Sequence, residues 1–556
     1  MSSQGFRVVL SADRTQFADY RTLLDGMVSA GQTSSTPLAL VETLLAPPVP
    51  SSGVRAVRAP LGLRRVEAAL LASGFSRDDV AVVTPEKLDR AVGSDTRIVG
   101  LSSGDPLGLA MNTSTMTGIA GGRSWTEVLF QRLAARVRRL RDVFPDVRLV
   151  VGGPGAWQLA RDERARRRLG VDHVLTGYFE THGPGIFRRI AAGKPSPPVF
   201  HCRWSPSDRI PPIRGATVMG VVEISRGCGL GCDFCTIARV PMVHLAPEAV
   251  LADVRTNLAA GVRDISLMSE DFFRYGGHGA LVRRSFSEGG KRTDPPALLG
   301  LLRELRSLRE LRVLQPVHAN VSSVAGFTEA ELREVHQLLA GDASLLQDPR
   351  AGDRATAARQ SPLAAPAQLS PTYLSRGAPP PRSVWVNVGV ETASSRLLRS
   401  AGSLAKMHPV ASSDPAGRAT MEEPDWGEVS LREVRRLSGA GFTPMISLIL
   451  GLPGETASDL EATLRWVQEL RGQRVVVFPV FLASIDPGVR SFSISDMTAR
   501  HWRLFEECYR FNFQWNLRML WEDETQAELG FGRRLMFQFV GRLYVLWWKT
   551  LFALRS

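Results

Sequence analysis

Cysteine is scarce in this chain, with five among 556 residues. A disulfide scaffold is excluded by so few, and thiols that survive unpaired fit a reducing cytoplasm. Lysine is rare too, and arginine vastly outnumbers it. The net charge of +13 therefore sits in a composition rich in Arg, Ala, Gly and Pro, as GC-rich coding produces. It says little by itself about nucleic acid or an anionic membrane. No long apolar segment follows Met1, because Ser2 to Phe6 enter a strand-like run directly, so no secretory signal is expected. The most apolar stretch, near the C-terminus, is interrupted by Arg534, Gln538, Arg542 and Lys549 before it could span a bilayer. At this length two to four domains are expected.

Against that background three of the five cysteines fall within eight residues, Cys228-Gly-Leu-Gly-Cys232-Asp-Phe-Cys235. Thiolates this close can meet one metal centre from one loop. An iron–sulfur cubane normally takes four cysteine ligands, so three leave one iron open to a small molecule. Zinc, or buried structural thiols, is the alternative; zinc wants a fourth Cys or His at comparable spacing, and Cys202 and Cys508 are remote.

The C-x3-C-x2-C spacing resembles the radical S-adenosylmethionine (radical SAM) superfamily. The setting agrees: an apolar strand, Val221 to Ser225, leads into Arg226-Gly227, and Phe234 stands before the last cysteine as the family's aromatic does. The resemblance covers residues 211–490, and more loosely 1–205. It implies a [4Fe–4S] cluster on Cys228, Cys232 and Cys235, SAM on the open iron, and a partial (β/α)6 barrel of TIM type.

The barrel signals come in order. Asp264 to Met268 is strand-like and ends in Ser269-Glu270-Asp271, at the place of the family's Gly-Gly-Glu, which receives the methionyl amine of SAM. A carboxylate there makes a charge-assisted hydrogen bond; a helix N-cap by Ser269 or Asp271 is the competing reading. Leu314 to Asn320 is the third strand, and His318 at its end is a substrate contact or a core histidine. The fourth, Val384 to Val390, ends at Glu391, which resembles the family's ribose-binding position, with Arg396 a candidate for the SAM carboxylate. Pro444 to Leu450 is a continuous apolar strand of the parallel type, closed by Gly451-Leu-Pro453-Gly454-Glu-Thr456. That turn resembles the family's strand-five motif, so Gly451, Pro453 and Gly454 are expected near SAM and Thr456 at a helix cap. Val475 to Val480 is the sixth strand. Residues 341–383, rich in Ala, Pro, Gly and Ser, read as a flexible insertion, and Gly402 to Trp426 as a second irregular stretch.

Before the barrel, strands at Phe6–Ala12, Val80–Val83, Arg97–Ser102, Leu149–Val151 and Asp172–Gly177 alternate with helical stretches at Arg64–Leu71 and Trp125–Phe144, and 31–60 reads as loop. The pattern predicts a doubly wound, Rossmann-like parallel sheet. Its Gly-Gly-Pro loop resembles the cobalamin (B12)-binding domains that precede many radical SAM enzymes, which would place a corrinoid near Asp105, Gly108, Gly152, Gly153 and Gly177. The D-x-H-x-x-G histidine of such domains is missing, since Asp172 and His173 are adjacent; a domain that binds no corrinoid and only packs on the barrel is the alternative.

The expected organisation is α/β throughout: a cobalamin-binding-like domain over 1–205, the barrel over 206–490, and a helical, aromatic and basic extension over 491–556. In that extension Met536, Val540, Leu543, Tyr544, Trp547 and Leu551 share a helical face. Such a face suits a membrane interface, or equally a helix closing the barrel. The expected function is SAM cleavage and functionalisation of an unactivated carbon. With cobalamin this is methylation of a hydrophobic, lipid-like or secondary-metabolite substrate; without it, cyclisation, C–C coupling or rearrangement. A flavodoxin- or ferredoxin-type reductant is implied. tRNA modification and a non-catalytic iron–sulfur protein are the remaining alternatives, and no nucleic-acid partner is expected.

Overall fold

The computed structural model describes residues 4–277, 293–341, 384–407, 425–486, 488–526 and 528–553. The chain begins with β1 (Val8–Ala12), α1 (Leu61–Ala72), β2 (Val80–Val82), β3 (Ile98–Ser102), α2 (Met111–Ala120), α3 (Trp125–Val143), β4 (Arg148–Gly152), β5 (His173–Thr176) and β6 (Val199–His201). These strands form one parallel sheet in the order β2-β1-β3-β4-β5-β6. Side chains alternate across it. Val8 and Leu10 join Leu63, Leu70 and Phe187 on one face, while Val9 and Val99 join Phe130, Leu133 and Val137 on the other. Both faces are covered by helices, as the near-continuous apolar strands require. The chain order reverses between β1 and β3, where a doubly wound sheet offers its ligand crevice.

The second unit comprises β7 (Val221–Glu223), α4 (Pro247–Ala259), β8 (Asp264–Met268), α5 (Pro295–Arg306), β9 (Val313–Pro316), β10 (His318–Asn320), α6 (Glu329–Ala340), β11 (Val384–Glu391), α7 (Leu404–Met407), α8 (Trp426–Gly439), β12 (Phe442–Leu450), α9 (Ala457–Gln468) and β13 (Val476–Phe481). Two parallel sheets result, β7-β8-β9 and β10-β11-β12-β13. They are joined at Val317, where one strand changes partner: its N–H donates to Leu267 O, and its carbonyl accepts from Asn387 N. Six βα units thus curve into a partial barrel, and no ladder joins β7 to β13 among the described residues. One apolar core runs through the strands and helices of this unit and into the two last helices.

Those helices are α10 (Ala499–Gln526) and α11 (Phe531–Ala553). Asn512 of α10 bonds both N–H and C=O of Val477. Trp548 of α11 is fully buried, stacks on Phe505 and lies tilted against Tyr509. The two helices therefore pack against the barrel. The other face of α11 leaves Phe531, Leu535, Phe539, Leu543 and Leu546 exposed.

Several expectations need correction. Residues 31–60 are not simply loop: a helical turn spans 38–45 and short strands lie at 51–52, 55–56 and 58–59. The sheet has a sixth strand, β6, after the one read as last. Helix α2 was not foreseen, because its Thr- and Ser-rich sequence lacks a clear apolar stripe. The insertion read at 341–383 lies outside the described residues except for Gly341, as does 408–424 of the second irregular stretch. Its first part, 402–407, is ordered.

Candidate active site

The cysteine loop is built on a short ladder. Ser225-Arg226 pairs antiparallel with Val243-His244, pinching off residues 227–242. Within it Cys228 N donates to Val240 O, Gly231 N to Ala238 O and Cys235 N to Cys232 O. Gly227 is required: its φ is +72° and a Cβ would stand 2.3 Å from Pro241 O. Arg274 fixes the loop from β8's side by donating to Cys228 O at 2.9 Å.

Cys228, Cys232 and Cys235 share one wall of a cavity of about 410 Å³. Burial pushes the Cys228 thiol up to about 12 and the Cys235 thiol to about 11. Burial also raises Cys232, against the opposing pull of Lys406 and of a hydrogen bond with Ser403. Thiols so placed ionise only for a cationic partner. Among the described residues no three His, Cys, Asp or Glu converge to hold a single ion, and no fourth ligand for zinc appears. Each thiolate of a cubane binds a different iron, so a cluster loop need not converge as an ion site does.

Phe234, Glu270, His318, Asn320, Asn387, Glu391 and Lys406 also line the cavity. Burial, with Glu223 behind it, raises the Glu270 carboxyl to about 7, and no hydrogen bond or ion pair engages it among the described residues. His318 is pushed down to about 4 by burial, and no hydrogen bond or ion pair engages its ring among the described residues. Asn320 Oδ1 is buried without a partner. Glu391 sits at φ +68°, beside a register shift in the β11–β12 ladder. A left-handed non-glycine residue costs about 1–3 kcal/mol, and such strain clusters at functional sites. The strain aims Glu391 at Lys406, whose Nζ donates to Glu391 Oε1. Gly389 leaves room for this pair; a Cβ there would lie 2.3 Å from Glu391 Oε1 and 2.7 Å from Lys406 Nζ.

Other expected residues lie elsewhere. The Ser269 side chain is fully buried and bonds Ser225 at 2.5 Å and Asp271 N at 3.1 Å. Asp271 holds Asn320 N and Ser323 rather than capping a helix through its side chain. Gly451, Pro453 and Gly454 do not line the cavity; a Cβ on Gly451 would strike the Phe492 ring at 2.2 Å. Arg396 is engaged by Gly454 O and Asp459. Thr456 does pair with Asp459 at the start of α9.

The first sheet reaches the cavity through the loops after β3 and β4. Leu109, Ala110, Met111 and Trp157 form the wall shared with the cysteines. Asp105 shapes that loop by accepting from Leu109 N, Ala110 N and Gln158 Nε2. Its Oδ2, and Oδ2 of Asp13 after β1, are buried without partners at the crevice. Gly108, Gly153 and Gly177 all have positive φ, but a Cβ at each would meet protein: Glu127, Ser103 and, at 1.9 Å, Cys202 O. Gly152 ends β4 and faces Leu175 O. His173 bonds Pro197 O and Asp172 bonds Leu149 N, so neither serves the crevice. Sequence reasoning missed Asp13, Lys406 and Trp157; for Lys406 the signal was its rarity in an arginine-rich chain.

The two units are locked together by buried charges. Arg65 of α1 bonds Glu223 at 2.9 Å and Asp253 at 2.5 Å, and Arg226 bonds Glu223 at 2.8 Å and Glu180 at 2.7 Å. Phe481 N at the end of β13 donates to Thr115 Oγ1 of α2 at 2.7 Å.

No family model matches the chain. Among curated proteins, the tRNA-2-methylthio-N(6)-dimethylallyladenosine synthase of Deinococcus radiodurans is 29% identical over 180 residues, 30% of this chain and 32% of that protein. Its counterpart in Nitrosomonas europaea is 29% identical over 143 residues, 25% of this chain and 32% of that protein. The chain spans about a third of the length of these relatives. Among solved structures, the radical S-adenosylmethionine methyltransferase TsrM from Kitasatospora setae, with tryptophan substrate and a SAM analog bound, aligns at TM-score 0.48 and 15% identity, covering 86% of this chain and 73% of that one. TsrM with cobalamin and a [4Fe–4S] cluster bound aligns at 0.47 and 15%, covering 86% and 75%.

Proposed function

We propose that this chain, a member of the radical SAM superfamily, is an enzyme that cleaves SAM at a [4Fe–4S] cluster and methylates an unactivated carbon of a hydrophobic small molecule with the help of cobalamin. The carrying observation is the single cavity that joins the cysteine loop, a carboxylate with no partner, and the switch-point loops of the first sheet. Cys228, Cys232 and Cys235 hold the cluster in this reading. Bound together, the cofactors supply electron transfer to the sulfonium, a primary carbon radical and a methyl carrier. The protein's part is to orient and to keep water out. Glu270 takes the methionyl ammonium, and Glu391 the ribose hydroxyls. Phe234 covers the last cysteine. Asp13 and Asp105, each with an unpartnered Oδ2, would help hold a corrinoid at the crevice, and Leu109 to Met111 would face the substrate. The apolar wall of Leu109, Met111, Trp157, Ile449 and Val480 suits an apolar or aromatic substrate.

A low-potential flavodoxin- or ferredoxin-type donor supplies the electron. The exposed face of α11, with Arg534, Arg542 and Lys549 and no acidic residue, suits peripheral contact with an anionic membrane. No described helix is long and apolar enough to cross one. A second reading, tRNA as substrate, is favoured by what the curated relatives act on.

Anaerobic reconstitution with iron, sulfide, SAM and a one-electron reductant tests the first reading. Production of 5′-deoxyadenosine, lost in Cys232→Ala, is expected; none from a fully loaded cluster would overturn it. Corrinoid absorption of protein expressed with cobalamin tests the methylation branch. A mobility shift with tRNA, and flotation with phosphatidylglycerol vesicles, test the two partners.

A further inference from the structure

The segment Gly402–Lys406 was read from sequence as irregular chain, yet it packs against the cysteine loop. Asp233 N donates to Ala401 O at 3.1 Å. Gly402 has φ +71°, and a Cβ there would lie 2.5 Å from Asp233 Oδ2. The Ser403 hydroxyl, which donates to Ala401 O at 3.3 Å, also stands close enough to Cys232 to oppose the rise of its thiol. Ala405 packs with Leu230, Cys232 and Ala238. Ser322 fixes the end of the segment by donating to Lys406 O at 2.7 Å. Lys406 is buried, lines the cavity beside the thiols, and meets only Glu391 as a hydrogen-bond partner of its ammonium among the described residues.

A buried cation is costly, and a carboxylate pair alone seldom repays it against an apolar alternative. A negative group bound beside the thiols would lower that cost. A cubane on three thiolates carries net negative charge, and accepting one electron from an external donor makes it more negative by one. Net charge and hydrogen bonds to sulfur set the potential of such clusters.

We infer that Lys406, with Ser403, is a positioning and charge-compensating element that raises the reduction potential of the cluster on Cys228, Cys232 and Cys235. The ammonium stabilises the reduced state more than the oxidised one, and the Ser403 O–H draws density from Cys232 sulfur. Glu391 acts in the opposite sense, tempering Lys406 and holding it in place. This rests on the cluster reading of the previous subsection.

The test is an anaerobic potentiometric titration of the reconstituted full chain without SAM, using dithionite as reductant and the EPR signal of the reduced cluster as readout. Lys406→Met shifts the midpoint to more negative potential, Lys406→Arg leaves it near wild type, and Ser403→Ala shifts it the same way as Met by less. Glu391→Gln shifts it to more positive potential. A fully loaded Lys406→Met with an unmoved midpoint would sink the inference. Should that variant not fold or load, Glu391→Gln and Ser403→Ala decide: opposite shifts uphold the inference, and no shift in either overturns it. A wild type that shows no cubane signal under iron and sulfide analysis fails the cluster reading itself, which is a different result.

Discussion

Two groups of buried polar side chains flank the cysteine loop, and they differ in how their members are partnered. At the seam between the two units, Arg65, Arg226, Glu223, Glu180 and Asp253 each meet an opposite charge at hydrogen-bond distance. Although burial pushes the Glu223 carboxyl up, Arg226 and Arg65 outweigh it and hold it below the usual carboxylate range. In the cavity, Glu270 and His318 lack such partners, and burial shifts both toward their neutral forms. Polar groups removed from water are paired when they serve packing. Those left unpaired around an open space are the ones a ligand completes. The seam is therefore architecture, and the cavity is chemistry.

The largest effect comes from breaking the seam. Arg226→Met leaves Glu223 with one partner and Glu180 with none, and removing one member of a buried ion pair costs about 3–5 kcal/mol. Urea unfolding should show a loss of that size, together with poorer iron loading, because Arg226 leads directly into Gly227-Cys228. Glu270→Gln should do the reverse. Its unfolding midpoint at neutral pH stays level or rises, while SAM affinity by equilibrium dialysis falls roughly tenfold to a hundredfold, the worth of a charged hydrogen bond. If the two variants behaved alike in both assays, the distinction between seam and cavity would collapse.

Much of this contrast was legible in the residues alone, for physical reasons that also explain the failures. The cysteine loop, β8 and β12 are local signals: ligand spacing, and apolar runs of the length parallel strands need. Glu270 was legible as an acid at the end of such a run. Lys406 was not, because its partner Glu391 and its neighbour Cys232 approach it only in three dimensions, and its Gly-Ser-Leu-Ala setting has the composition of a loop. Gly451 and Gly177 were read toward ligands, and a Cβ on them would meet Phe492 and Cys202. A glycine in a motif shows that something comes close; it does not say what.

Gly177 gives a smaller and more specific test. At φ +85°, and with a Cβ 1.9 Å from Cys202 O, alanine is excluded both by conformation and by contact. Gly177→Ala should cost about 1–3 kcal/mol in urea unfolding. Cluster and corrinoid loading of the folded fraction should stay at wild-type levels. Lost corrinoid absorption at unchanged stability would instead restore this glycine to the crevice.

The smallest effect is one of slope, and it separates the two lone groups of the cavity from each other. Glu270 titrates near 7 when folded against an ordinary 4.5. Its protonated form favours the fold below 4.5, and that contribution is lost as pH rises to 7. His318 titrates near 4 against an ordinary 6.5. Its contribution is present above 6.5 and is lost as pH falls toward 4. Between these limits the two slopes oppose, so wild type should be nearly flat with respect to this pair. His318→Phe removes the histidine's contribution: relative to wild type its urea midpoint falls as pH rises from 4 to 6.5. Glu270→Gln removes the carboxyl's contribution, and its midpoint relative to wild type rises from pH 4.5 to 7. Taking differences against wild type cancels other buried acids such as Asp13, which titrates near 6. Parallel rather than opposed slopes would mean that one of the two groups finds a partner in solution, and the cavity would then be no less satisfied than the seam.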